Sequence, residues 1–380
     1  MIFTSPYPDV RIPKGKTLWN MLELHARERG EKSAFVCGIT DKVLTFAQML
    51  KKAEAFSAGL TAQGIWKGDT VVLHSFNCIE YPVVFFALNQ IGAVCSPSPT
   101  LFNGKELAQQ METAKATAVI GHKALEKVVV EAAQLRGIQS QRCSSLVKVL
   151  QRLGLSSKLY TVKSRRKRDL IALNLPLTLP PMDPMDVVTL PFSSGATGRS
   201  KGVELTAHAM FATSAQLAAQ EDDLSYYLGV LPFFHILAAL LFHATVFKGV
   251  ALVVLPRFEP ETFLGVIQKF RLEKITLVPP LVLFLAKHPI IDQFDLSSVK
   301  VVSCGGAAMG KEVERAVEKR LKGARVVQGY GMTEFAGGVA NGSLTHSRAG
   351  STGRLLPNVE MKVKDLKTDE DLPANKTGEL

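Results

Sequence analysis

The chain has 380 residues, 47% of them hydrophobic and 21% charged, which excludes a disordered polymer and a single small module and implies two or three packed subdomains. Its net charge of +11 is local: twelve basic residues against Glu126 and Glu131 lie between Gly121 and Arg168. The remainder is close to neutral, so a chain-wide polyanion surface is excluded.

In chain order, the first sixteen residues carry Pro6, Pro8, Asp9, Arg11 and Pro13 and no apolar core, so a secretory signal is not expected. Thr45-x-x-Gln48 predicts a capping box for a helix through Phe46, Met49, Ala53, Phe56 and Leu60, ending at Gln63-Gly64. Thr70–His74 reads as a buried strand, Asn77-x-x-Glu80 as the cap of a helix running to about Ile91, and Ala93–Cys95 as the next strand. Asn103-x-x-Glu106 caps another helix, followed by a strand at Ala118–Ile120. The run Lys163–Arg168 could mark a nuclear signal or polyanion patch. With only Tyr160 as a nearby aromatic, it reads as a solvated loop before the Pro-rich stretch Leu175–Pro184, and no nucleic-acid partner is expected.

A second set follows: strand Val187–Phe192, helix Thr206–Gln220, strand Val250–Leu255, helix Glu261–Phe270, strands Ile275–Val278 and Val299–Ser303, helix Lys311–Leu321 and strand Val326–Gly329. Leu224 to Phe247 is uncharged and long enough to cross a bilayer, but Gly229, Pro232, His235 and His243 interrupt it. A buried strand, a turn at Pro232 and a core helix account for it, so the chain is not expected to be transmembrane. Strands alternating with helices imply an α/β fold of two stacked, doubly covered, mostly parallel sheets, with shorter β pieces such as Val359–Val363 beyond Gly350. Five cysteines with no CxxC spacing argue for free thiols and against a zinc or iron–sulfur site.

The chemistry concentrates at Leu190–Val203, where a strand runs into a loop with hydroxyls, glycines and Lys201. Glycines let backbone N–H groups turn inward, hydroxyls donate to phosphoryl oxygens and the ammonium adds a point charge, so a polyphosphate is the expected guest. It is not a Walker A loop, because Gly202 follows Lys201 where Ser or Thr is required. Nor is it a nucleophile elbow, because Pro191 stands two before Ser193.

Ser193–Val203 resembles the phosphate-binding signature of the adenylate-forming superfamily, which includes acyl-CoA synthetases, 4-coumarate–CoA ligases and beetle luciferases. Further blocks resemble that family in its order: Leu231–Ile236, Ser303–Glu312, Gln328–Glu334, Gly350–Gly353 and Thr377–Glu379. The resemblance covers the chain end to end. It implies an AMP-binding domain over 1–380, with a first α/β layer near 1–180, a second with the ATP site near 181–345, and an incomplete β subdomain at 346–380. It implies ATP, Mg²⁺ and CoA, and conversion of a fatty acid or aryl propenoate to an acyl-adenylate and then an acyl-CoA.

By the same resemblance Ser193, Ser194, Gly195, Thr197, Gly198 and Lys201 would clamp the pyrophosphate end, Thr333 would bond an α-phosphate oxygen and Glu334 would hold Mg²⁺. Tyr330 would stack on adenine. Gly305, Gly306, Ala307, Gln328, Gly329, Gly331 and Met332 would complete the nucleotide site, and His235 would sit beside the acyl carboxylate. Ile236, Leu237, Gly305, Gly306, Gly331, Phe335 and Ala336 would line an acyl tunnel. Taken singly, His235 also reads as a core histidine, Glu334 as a helix cap and Gly305-Gly306 as a tight turn. Ala196, Ser200 and Ala308 depart from the family pattern. The family's C-terminal lid is not in this sequence, so weak or absent turnover is expected, and a non-catalytic nucleotide- or acyl-binding relative is the alternative. Location stays open between cytosol and peroxisome, and oligomeric state is not read.

Overall fold

The structure, a computed structural model, describes residues 1–138, the backbone of 159–163, and residues 182–193, 200–220, 225–343 and 347–380. Three larger sheets and two short two-stranded ribbons are present among these residues. In the six-stranded sheet, Val94–Pro97, Thr70–His74 and Ala118–His122 are parallel neighbours, joined by Val187–Thr189 in parallel and edged by antiparallel Leu205–Thr206 and Leu159–Lys163. The four-stranded sheet orders Tyr226–Gly229, Ala251–Val254, Ser33–Cys37 and Val43–Thr45. The five-stranded sheet starts with parallel Lys274–Leu277, Val301–Cys304 and Arg325–Met332, then turns antiparallel through Gly337–Asn341 and Arg354–Leu355.

The expected α/β character with mostly parallel strands therefore holds, but the sheets draw strands from both sides of residue 180. Phe35 pairs with Leu252 and Cys95 with Thr189. Local patterning sets which segments are strands. Pairing between two fully buried apolar strands depends on tertiary packing, which has no local signature.

Several boundaries follow from local chemistry. The Phe46–Ala62 helix starts at the reciprocal Thr45/Gln48 capping box, and the Gly104–Thr113 helix at Asn103, whose side chain accepts from the Lys105 and Glu106 N–H groups. The expected strand Val187–Phe192 is split into Val187–Thr189 and Phe192–Ser193, because Pro191 lacks the N–H a continuous ladder needs. The uncharged stretch resolves into strand Tyr226–Gly229 and helix Ile236–Lys248, which ends at left-handed Gly249. Among the described residues no helix is long and apolar enough to cross a membrane.

One apolar core spans all three sheets. At its centre Tyr81, Phe85, Phe233 and Phe242 meet edge-on or tilted at 5.3–6.0 Å between centroids, locking the Tyr81–Gln90 helix to the Ile236–Lys248 helix. The four described cysteines, Cys37, Cys78, Cys95 and Cys304, are buried and unbridged. Most of the basic run Lys163–Arg168 lies outside the described residues.

Candidate functional site

The phosphate-type loop is the tip of a two-stranded hairpin. Ser193 pairs with Lys201 and Phe192 with Gly202, and Ser200 Oγ donates to the Ser193 carbonyl at 3.1 Å. Ser194, Gly195, Thr197 and Gly198 lie outside the described residues. At the hairpin's base the Ser193 hydroxyl is shielded from solvent without a hydrogen-bond partner. Across the ladder Lys201 is exposed and has no hydrogen bond or ion pair from its side chain to any described residue. A shielded hydroxyl and an exposed ammonium facing each other across the ladder suit an anionic group. The base is fixed to the six-stranded sheet by Leu190 N–H donating to Cys95 O at 2.9 Å and Ser96 Oγ donating to Leu190 O at 3.0 Å.

His235 is the N-cap of the Ile236–Lys248 helix: its Nδ1 accepts from Leu237 N–H at 3.2 Å, which requires the neutral Nε2–H tautomer. The ring reaches solvent, yet the protein packed around it desolvates it enough to hold its pKa below the usual histidine range. Pro191 at the hairpin base and Phe233, Phe234 and Ile236 line one small apolar cavity, so the hairpin and the His235 turn are neighbours.

The third component is the carboxyl edge of the five-stranded sheet, where Leu277, Cys304 and Gln328 stand in register. This is the edge at which parallel α/β sheets bind ligands. Gly305 is buried there, whereas Gly306, Ala307 and Ala308 are exposed, and Gly306 has φ +84°, which favours glycine. A side chain at Gly305 would touch Leu237 at 3.4 Å, and one at Gly306 would touch Val278 at 3.5 Å, so Leu237 and Val278 wall the Gly305-Gly306 turn. Gly331 has a different explanation from ligand access: a Cβ there would meet the Gly337 carbonyl at 1.8 Å, where the strand bulges against its antiparallel neighbour.

After Met332 the chain makes a single 3₁₀ turn, Thr333–Phe335, closed by left-handed Ala336. Glu334 is exposed with no hydrogen bond or ion pair to any described residue, and Phe335 is 48% exposed at the rim. Among the described residues no cluster of three acidic, histidine or cysteine side chains could hold a metal. A lone accessible carboxylate nevertheless fits Mg²⁺, which takes one or two carboxylates with phosphate oxygens. Tyr330 is half-buried against Val339 and Leu356, leaving part of its ring accessible.

Gln328 is committed inward. Its Oε1 accepts from Met309 N–H at 3.2 Å and its Nε2 donates to Met309 O at 3.2 Å and to Glu314 Oε1 at 2.5 Å. Glu314, 3% exposed, also accepts from Gly350 N–H at 3.1 Å. This buried carboxylate brackets the 328–334 and 350–353 segments together. Nothing in the pattern of the Lys311–Arg320 helix distinguishes Glu314 from a solvated glutamate, so only the tertiary contact exposes it.

Residues 22–380 match the AMP-binding enzyme family. Over its whole length the chain is similar to a 4-coumarate–CoA ligase of Petroselinum crispum, 32% identical and covering 70% of that protein, and to another of Humulus lupulus with the same identity and coverage. Among solved structures it resembles a long-chain-fatty-acid–CoA ligase from Archaeoglobus fulgidus, with TM-score 0.83, 22% identity and coverage of 98% of this chain and 75% of that one. An inhibitor-bound N-terminal domain of FACL13 from Mycobacterium tuberculosis also matches, with TM-score 0.76, 24% identity and coverage of 94% and 86%.

Proposed function

From the premise that this chain belongs to the AMP-binding enzyme family, we propose that it activates a carboxylic acid with ATP and passes the acyl group to CoA. A carboxylate oxygen forms a bond to the α-phosphorus while the bond to the bridging oxygen breaks, and pyrophosphate leaves with the electron pair. The CoA sulfur then attacks the acyl carbonyl and AMP departs. The observation that carries the reading is the pairing of Lys201, exposed and without a partner among the described residues, with the shielded Ser193 hydroxyl across the hairpin.

Charge builds on the leaving pyrophosphate and on the α-phosphate oxygens, so fixed donors and cations lower the barrier. Lys201 and Ser193, with Ser194, Gly195, Thr197 and Gly198, take the pyrophosphate end. Thr333 donates to an α-phosphate oxygen, and Tyr330 with Gly305, Gly306, Ala307, Gly329 and Met332 receives the nucleoside. Glu334 would hold Mg²⁺, which supplies neutralisation of phosphate charge when bound. Neutral His235 presents Nε2–H toward the acid carboxylate and orients it without repelling the nucleotide's metal.

The acid enters between the first turn of the Ile236–Lys248 helix and the Gly305-Gly306 edge. Leu237, Val278, Ile236 and Phe335 make that passage apolar, which suits a fatty acid or an aryl propenoate. The test is acid-dependent ATP–pyrophosphate exchange, run with saturated fatty acids of increasing length and with cinnamic acids. Exchange with a member of either series supports the reading. ATP-induced thermal stabilisation with no exchange for any acid would leave a nucleotide-binding protein instead.

A further inference from the structure

Asn77 precedes the Tyr81–Gln90 helix, and its spacing to Glu80 predicts a cap. The structure corrects that expectation: Glu80 occupies the N-cap position with no side-chain cap bond, and the Asn77 side chain points elsewhere. Its Nδ2 donates to Leu231 O at 2.8 Å and to Gly229 O at 3.3 Å, and its Oδ1 accepts from Phe233 N–H at 2.8 Å. The residue is 3% exposed, and these partners are more than 150 positions away in sequence.

We infer that Asn77 is a positioning residue for acid recognition, its amide holding the 229–233 turn that sets His235 and Leu237 in place. A primary amide has donors and an acceptor in one plane, so it can satisfy a stretch of backbone as a neighbouring strand would. This stretch needs such a partner because Pro232, in its middle, has no N–H. Two residues beyond the clamp His235 caps the helix, and four beyond it Leu237 packs over Gly305. Among the described residues no Asn77 hydrogen bond reaches the Gly329–Phe335 segment or Lys201. Loss of the clamp should therefore act on the acid and spare ATP.

The inference rests on the acid-activation reading and is tested in the full chain with Asn77→Ala. Ser57→Ala serves as a control, because buried Ser57 donates to Ala53 O and Ala87 O and to none of the 229–237 backbone. We expect the acid KM to rise about tenfold or more in exchange assays while the ATP KM stays within about twofold, since a lost buried clamp is equivalent to roughly one decade or more. The control variant should move neither selectively. Amide hydrogen exchange at Phe233–Leu237 should quicken relative to Gly329–Phe335, a readout independent of turnover. If Asn77→Ala does not fold, Asn77→Asp is read in the same way: it keeps the acceptor for Phe233 N–H and removes the donor to both carbonyls.

Equal shifts in acid and ATP KM, or unchanged protection at 233–237, overturn the inference. Inactive wild-type protein with the altered protection pattern would sink the acid-activation reading while leaving the clamp standing.

Discussion

The two sides of the candidate site are built in opposite ways. On the side proposed for the acid, the 229–233 backbone is held by buried Asn77 hydrogen bonds and by edge-on aromatic packing. On the side proposed for the phosphates, Lys201, Glu334 and the Ser193 hydroxyl have no hydrogen-bond or ion-pair partner among the described residues. An apolar ligand is recognised by shape, which must exist beforehand. A highly charged one is recognised by groups that gain more from it than from each other. The acid side should therefore fail by losing structure, and the phosphate side by losing chemistry.

Lys201→Ala is expected to break this contrast most visibly. Exchange should fall by about 10²–10³-fold, the cost of removing one donor aimed at developing charge, while stability moves by no more than about 0.5 kcal/mol. Paired kinetics and urea denaturation check both halves, and a large stability loss would contradict the unpartnered placement.

Stability should answer to pH. Burial lowers the pKa of His243, packed among Phe85, Phe86 and Phe242, to about 3 and that of His74 to about 4, both below the ordinary histidine value of 6.5. The folded state keeps both rings neutral while the unfolded chain binds protons near pH 6.5. Their stabilisation is thus complete above that pH and is lost as pH falls toward 4 and then 3. Each contributes on the order of 3–5 kcal/mol. Urea midpoints should decline with acidification over this window, and His243→Phe should flatten the decline.

Glu314→Gln removes the charge from both bonds and puts an NH2 donor in place of one oxygen, so Gln328 Nε2–H and Gly350 N–H must share the remaining one; it should cost about 1–3 kcal/mol with weakened ATP binding. Calorimetry of ATP binding together with denaturant melts reads the two effects. The smallest stability effect is expected for Gly305→Ala. Its methyl would make an ordinary 3.4 Å contact with Leu237, so folding should be nearly unchanged while the acid KM rises as the passage narrows.

Much of this was legible in the sequence because it is local. The Thr45 and Asn103 caps close over three residues, and the strand-to-hairpin passage at Leu190–Val203 keeps its hydroxyls and lysine within one short segment. Asn77 has the same local signature as Asn103, but its partners lie on another element, so pattern alone gives the wrong role. Glu314 and the bulge that demands Gly331 are equally silent, since each is defined by a neighbour far along the chain. The family resemblance supplied the order of the blocks, and the fold supplied what holds them.

The strand exchange between sheets also constrains how the chain can be made. The Ser33–Cys37 strand finds its parallel neighbour only at Ala251–Val254, with Phe35 opposite Leu252. During synthesis at about 5–20 residues per second, that strand waits on the order of 10–40 s with one long edge uncovered. Nascent protein shorter than about 250 residues should therefore associate with chaperones and resist folding, and a slow, topology-limited phase should dominate refolding in vitro.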